Sequence, residues 1–273
     1  MWRGLYAAAS GMITETRRTD TIANNLANAD TNGFKRDIAI NKEFEPIFLR
    51  RIDDYDPKLE VTSFKGFSLG SKAPKVGTLG LGAAISEIAI DREQGPIKTT
   101  GNPLDVAIAG NGFFAVQTDQ GVRYTRDGAF FRSSGGQLQN VKGQPVLNAQ
   151  GQPITIPGDA SRISIGPRGT ISVGNPGEEG FQQVAQLMFV DFGPDRRAIV
   201  KQGDNLWNPR EGAQPQPADG EIEQGCLEAS NTNTVSDMVE LINNYRIYEA
   251  GSKAVMTQDT LLDKAVNEIG RLS

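Results

Sequence analysis

Few residues of this chain could do chemistry, and their spacing does not assemble a reaction. Tyr124-Thr125-Arg126-Asp127-Gly128 gathers a phenol, a guanidinium and a carboxylate, the raw material of an acid–base or anion-binding site. Asp127-Gly128, however, has the composition of a type I′ turn, which puts the trio at an open hairpin tip. Gly110-Asn111-Gly112 offers a Gly-x-Gly phosphate cradle. A dinucleotide site needs a third glycine opening a helix whose dipole faces the phosphate, and here Phe113-Phe114 continues as a strand. Asp53-Asp54-Tyr55-Asp56 would attract a cation, but it lacks the alternating oxygen ligands and bidentate Glu of a calcium loop. There is no histidine, and Cys226 is the single cysteine. That excludes Ser-His and Cys-His nucleophile pairs, His-ligated metals and an internal disulfide. Cys226, between Gly225 and Leu227 in a strand-like stretch, reads as a buried apolar residue. No catalytic, cofactor-binding or metal-binding residue is named, and an enzyme is not expected.

Composition narrows the partners. The 273 residues carry a formal net charge of −5, which argues against a phosphate-binding surface for nucleic acid. No apolar run approaches the roughly 18 residues that a membrane span needs. Met1-Trp2-Arg3-Gly4-Leu5 is not a basic segment followed by an apolar one, so no cleavable signal peptide is expected. A cytoplasmic protein and one exported without such a signal both fit.

The elements that would position side chains are easier to read. Over residues 3 to about 29, Leu5, Met12, Thr19 and Leu26 recur every seven positions, with Ala8, Ala9, Ile22 and Ala23 between them. This is a heptad stripe of small residues with a polar gap at Glu15-Thr16, suited to a crowded helical layer. Asn32-Gly33, both tolerant of the left-handed conformation, is expected to end the helix. Over 234–271, Leu241, Tyr248, Val255, Leu262 and Ile269 form an unbroken heptad ladder. Met238, Tyr245, Ser252 and Val266 take the complementary positions, with Asp259 the charged exception. Thr234-Val235-Ser236-Asp237 resembles a capping box with Asp in place of Glu. Packing on the chain's own domain and packing on neighbouring molecules fit the C-terminal helix alike. Two heptad helices at opposite ends of the chain favour the second.

Between them, 84–90, 104–109, 113–117, 123–125, 169–173, 184–192 and 221–227 read as strands. Asn111-Gly112, Asp127-Gly128, Gly135-Gly136 and Gln150-Gly151 are the expected hairpin turns. The fold class is therefore α+β: terminal heptad helices paired as a coiled-coil-like layer, with a central antiparallel β barrel or sandwich. Residues 1–33 form the N-terminal helix, which joins 234–273 in an inner helical domain. Residues 34–83 form an extended connector, 84–228 the β domain and 229–273 the C-terminal helix. Candidate assembly-interface residues are Leu5, Met12, Ile22, Leu26, Met238, Leu241, Tyr245, Tyr248, Val255, Leu262, Val266 and Ile269.

Several blocks resemble one family. Ala8-Ala9-Ser10-Gly11-Met12, Ile22-Ala23-Asn24-Asn25-Leu26-Ala27-Asn28 and Thr31-Asn32-Gly33-Phe34-Lys35-Arg36 resemble the N-terminal signature of flagellar rod and hook proteins. Leu104-Asp105-Val106-Ala107-Ile108, Gly110-Asn111-Gly112-Phe113-Phe114 and Tyr124-Thr125-Arg126-Asp127-Gly128 resemble its centre. Leu227-Glu228-Ala229-Ser230-Asn231-Thr232-Asn233, leading into a helix with Tyr245-Arg246 and Tyr248-Glu249, resembles its C-terminal part. The blocks cover both ends and the centre in the family's order. The resemblance implies a structural subunit of the basal-body rod, a passive drive shaft with no cofactor. It implies terminal helices lining the inner tube and a β domain outside them. The implied partners are further copies of the chain, other flagellar rod and hook proteins, and the flagellar type III export apparatus. The implied location is the periplasmic rod, reached without a cleavable signal. The length suits a rod subunit rather than a hook subunit, and Gly33-Phe34-Lys35-Arg36-Asp37 with the 41–66 stretch leans toward the proximal rod type. Two other readings stay open at this point. One is a monomeric binding module whose helices fold back on its own β domain. The other is a hydrolase of cell-wall glycan, which needs two carboxylates about 5 to 9.5 Å apart in a cleft.

Overall fold

A long helix stands near each end of the chain, and every strand lies between them in sequence. The computed structural model of the protein describes residues 2–50, 63–64, 67–68, 75–158, 160, 162–175, 180–193, 195 and 197–269. Helix α1 spans Trp2–Ala27 and α2 spans Thr234–Lys264, after which Ala265–Ile269 form a π-helical turn. Neither α-helix contains proline, so each backbone ladder runs uninterrupted. The acidic run 53–56 lies outside the described residues.

The caps differ from expectation. Asn233, one position ahead of the Thr234–Asp237 box, caps α2: its Oδ1 accepts the Ser236 N–H at 3.1 Å. Helix α1 ends at Ala27, well before Asn32-Gly33. Gly33 does adopt a positive φ of 66°, but for a different reason. A Cβ there would lie 2.5 Å from the Arg126 carbonyl carbon, so glycine admits a backbone-to-backbone approach.

The chain divides into two compact units. One comprises Met1–Ala23, Ile38–Ala89 and Met238–Ser273. It holds most of both helices and three small ribbons. These pair β1 (Asp37–Glu43) with β6 (Ala83–Ile90), β2 (Ile47–Arg50) with β5 (Lys75–Leu79), and β3 (Ser63–Phe64) with β4 (Phe67–Ser68).

The other unit comprises Asn24–Asp37 and Ile90–Asp237. Its strands are β7 (Ile97–Thr99), β8 (Val106–Ala109), β9 (Phe113–Thr118), β10 (Gly121–Thr125), β11 (Phe130–Arg132), β12 (Leu138–Asn140), β13 (Arg162–Ile165) and β14 (Thr170–Gly174). They continue as β15 (Gln182–Gln186), β16 (Phe189–Asp191), β17 (Ile199–Gly203), β18 (Leu206–Pro209), β19 (Gln216–Pro217), β20 (Glu221–Gln224) and β21 (Cys226–Glu228). Six of them form a sheet in the order β17-β18-β10-β9-β16-β19, and β13-β14-β15 form a second sheet. Ribbons β11-β12, β20-β8 and β21-β7 complete the unit. Among the described residues no sheet closes on itself, so the expected barrel is absent. Gly225, at φ 75°, separates β20 from β21, so the single expected strand 221–227 pairs with β8 on one side of it and β7 on the other.

The central strand β9 explains the core. Its alternation sends Phe114 and Val116 into one apolar cluster with Phe130, Leu138 and Ile171. Phe113 and Ala115 face a second cluster with Tyr124, Phe192 and Trp207. A strand covered on both faces reads as an unbroken apolar run, as Phe113-Phe114-Ala115-Val116 does.

The turns were only partly anticipated. Gly135-Gly136 does join the antiparallel pair β11 and β12. Asn111-Gly112 and Asp127-Gly128 instead carry the chain between different sheets, because β8 pairs with β20 and β11 pairs with β12. The β9–β10 hairpin turns at Asp119-Gln120. The β17–β18 hairpin turns at Asp204-Asn205, whose φ values of 55° and 59° are those of a type I′ turn. Cys226, expected to be buried, is half-exposed.

Candidate assembly interface

Within the first unit, α1 and α2 run antiparallel along a shared seam. A Cβ on Gly4 would lie 3.5 Å from Gln258 Nε2, and one on Gly251 would lie 2.8 Å from Met12 Cγ. Nearer the other end, the Arg18 guanidinium pairs with Glu240, its Nε donating to Oε1 at 3.1 Å. The side of α2 turned inward carries Glu240, Leu241, Asn244, Gly251, Val255, Gln258, Leu262 and Ala265, all buried or half-buried. Of the heptad ladder, Leu241, Val255 and Leu262 lie on this side, accompanied by the polar or small Asn244, Gly251 and Gln258 and, in the following turn, Ala265. Among the described residues, Glu15 Oε2, Asn244 Nδ2 and Gln258 Oε1 are buried without a hydrogen-bond partner. Each such group costs about 1–3 kcal/mol, so this seam is a weak one.

The expected companions point elsewhere. Met238, Tyr245 and Val266 are 48%, 59% and 71% exposed. Met238, Ile242 and Tyr245 share an outward stripe on α2 at spacings of four and three, Met256 lies eleven positions further on toward the same side, and all are exposed. Helix α2 therefore carries two apolar stripes, and the one richer in large side chains faces water.

Of the other candidate residues, Ile22 is buried; Leu5, Met12, Leu26, Leu241, Val255 and Leu262 are half-buried; Tyr248 is 40% exposed. The side chain of Ile269 lies outside the described residues.

The second unit holds a charged centre that the sequence reading passed over. Glu228, fully buried, accepts hydrogen bonds from Lys35 Nζ at 2.5 Å and from the Gly95 N–H at 3.0 Å through Oε1. Its Oε2 accepts Arg126 Nη1 at 3.2 Å. Lys35 and Arg126 are also buried. Lys35 Nζ donates further to the Glu93 carbonyl at 2.8 Å, and Arg126 Nη2 to the Gly110 carbonyl at 2.9 Å. The Arg126 guanidinium lies 5.2 Å from the Phe113 ring centroid. Burial pushes both cations below their ordinary pKa, and the Glu228 carboxylate opposes that shift in each.

Around this triad, Asn and Lys side chains tie loops together. Asn25 bonds both the N–H and the carbonyl of Asp37 at 2.8 Å. Asn231 accepts the Arg36 N–H at 2.7 Å and donates to the Asp91 and Glu93 carbonyls at 3.1 Å. Lys201 Nζ bonds Asp37 Oδ1 at 2.8 Å and sits 4.2 Å from the Phe34 ring centroid. Tyr124, Thr125 and Arg126 are accordingly packed inside, not displayed at a hairpin tip. Their spacing gave no sign of this, because Lys35 and Glu228 stand 193 positions apart.

Helices along one seam and a β unit knitted by its own flanking segments describe a structural subunit, and comparison with known proteins agrees. Residues 5–35 match the model of the flagella basal body rod proteins, and residues 107–173 that of the D1 domain of the flagellar hook proteins FlgE/F/G. Residues 223–268 match the C-terminal model of the flagellar basal body rod FlgEFG proteins. The chain is 33% identical to the flagellar basal-body rod protein FlgF of Caulobacter vibrioides over the whole of both chains. It is 30% identical to the flagellar hook-basal body complex protein FlhO of Bacillus subtilis, again over the whole of both. With the rod protein FlgG of B. subtilis it shares 32% identity over 98% of this chain and 99% of the relative. The chain belongs to the flagellar basal-body rod and hook protein family. That family is structural, not enzymatic. Among the described residues no helix is long and apolar enough to cross a membrane.

Proposed function

We propose that the chain is a rod subunit that polymerises through its terminal helices, with further copies of itself and with other rod and hook proteins, into a tube that carries torque. The observation that carries this reading is the exposed outward stripe Met238, Ile242 and Tyr245 on α2. A lone chain gains nothing by exposing it, whereas each neighbouring helix laid on it removes apolar area at about 25 cal/mol per Å². In that assembly the terminal helices form a coiled-coil-like layer. Delivery runs through the flagellar export apparatus to the periplasmic rod.

Electron microscopy of the concentrated, purified protein tests the reading: filaments or tubes are expected. Ile242→Asp places a charge in the stripe without touching the α1 seam, so it should leave the isolated chain folded and abolish the polymer. The antiparallel contacts of α1 with α2 in a single chain also suit a monomeric binding module, for which the protein would stay monomeric at every concentration and Ile242→Asp would change nothing.

A further inference from the structure

The three members of the buried triad come from three separate stretches of chain. Lys35 follows α1, Arg126 ends β10's turn region, and Glu228 closes β21 just ahead of α2. Backbone packing there is as tight as the charges. A Cβ on Gly33 would strike the Arg126 backbone, one on Gly95 would come 2.0 Å from the Ala229 carbonyl oxygen, and one on Gly128 would come 1.7 Å from that of Val106. The Gly33 N–H also donates to the Glu228 carbonyl at 2.7 Å.

We propose that Glu228 is a latch that makes the docking of the two terminal arms, residues 31–37 and 226–233, mutually dependent. The charge count gives the reason. With both arms docked, two buried cations share one carboxylate, whose oxygens are all occupied. If the C-terminal arm withdraws, Lys35 and Arg126 lose the one carboxylate hydrogen-bonded to both, so the N-terminal arm is expelled as well. If the N-terminal arm withdraws, Glu228 loses its shortest partner, and the Gly33 and Arg36 N–H groups leave their acceptors on Glu228 and Asn231. Neither arm is stable without the other. The junction from which both assembly helices extend therefore forms only after the chain has been made as far as Glu228. A partly made or clipped chain does not present the helices from a fixed junction.

Hydrogen exchange on the full chain tests the latch. Glu228→Gln keeps the side chain's shape and its acceptor for Gly95 but removes the charge. Amides 33–37, in the distant arm, should then exchange faster by on the order of tenfold or more, together with amides 226–231, while β9 and β10 keep their protection. Leu138→Ala, a core truncation remote from the arms, should destabilise the unit without this selective release. Arm amides unchanged in Glu228→Gln, or accelerated evenly with the whole unit as in Leu138→Ala, would overturn the proposal. Should Glu228→Gln fail to fold, the triple variant Lys35→Met, Arg126→Met and Glu228→Gln decides. Removing both cations along with the carboxylate should restore folding, and a triple variant that stays unfolded sinks the latch.

Discussion

The buried junction around Glu228 and the seam between α1 and α2 treat polar groups differently. At the junction both carboxylate oxygens are used and carbonyls of Glu93 and Gly110 take up further donors, leaving Arg126 Nε buried without a partner. Along the seam, Glu15, Asn244 and Gln258 bury polar atoms without partners, while Met238, Ile242 and Tyr245 lie exposed. One region satisfies most of its buried polar atoms within a single chain; the other is left short of contacts, as a surface that neighbours finish would be. The difference teaches that the most densely bonded polar cluster of the chain and the face proposed to meet neighbours lie on different segments.

The sharpest way to break this comparison is to damage the first region. Phe114 is fully buried, 5.3 Å from the Phe130 ring centroid. Phe114→Ala should cost about 3–5 kcal/mol in urea denaturation, and as one cooperative loss of the β unit. A loss well under 1 kcal/mol would mean that the unit is not the tightly packed body described.

Next comes the seam. Leu262 is half-buried on the inward face of α2. Leu262→Asp places a carboxylate against α1, at a cost of about 1–3 kcal/mol borne by the helices. Exchange protection along 241–262 should fall and polymer should not form, while the β unit's melting stays unchanged. A matching drop in the β unit would show that the two regions are energetically one. By contrast, the Arg18–Glu240 pair has side chains 35% and 40% exposed, so Arg18→Ala should change stability by only about 0.2–1 kcal/mol.

How much of this was legible in the sequence follows the range of each interaction. The helices were readable because heptad repetition is local: Leu241, Val255 and Leu262 do face inward. Met238, Tyr245 and Val266, expected at the complementary positions, are exposed, and within the single chain the seam takes Asn244, Gly251 and Gln258. Periodicity identifies apolar stripes, but it does not say which of two stripes a single chain buries. Many strands were legible by alternation, yet β17 and β18 were missed, since Asp204-Asn205 lacks the glycine that flags a type I′ turn. The triad was illegible in principle, being made by contacts across 102 and 193 positions. Only the family resemblance pointed there: Lys35, Arg126 and Glu228 each fall inside one of the three recognised blocks.

The smallest expected effect lies at the rim of the junction and carries a pH signature. Burial alone would raise the Asp91 carboxyl, but the Glu93 N–H and the Arg36 guanidinium, 2.9 Å from Oδ2, outweigh it and hold the group below its ordinary value. A carboxylate whose folded value is depressed stabilises the fold at pH above the ordinary carboxylate range, and loses that contribution as pH falls through the folded value. Because the Arg36 side chain is 36% exposed, solvent screening limits the pair to about 0.5 kcal/mol. Asp91→Asn should therefore be slightly less stable than the parent at neutral pH, and the gap should close in acid as Asp91 itself becomes neutral. Added salt at neutral pH should narrow the gap in the same direction. A gap that widens in acid would reverse the sign of the linkage and remove Arg36–Asp91 from the groups that stabilise the N-terminal arm.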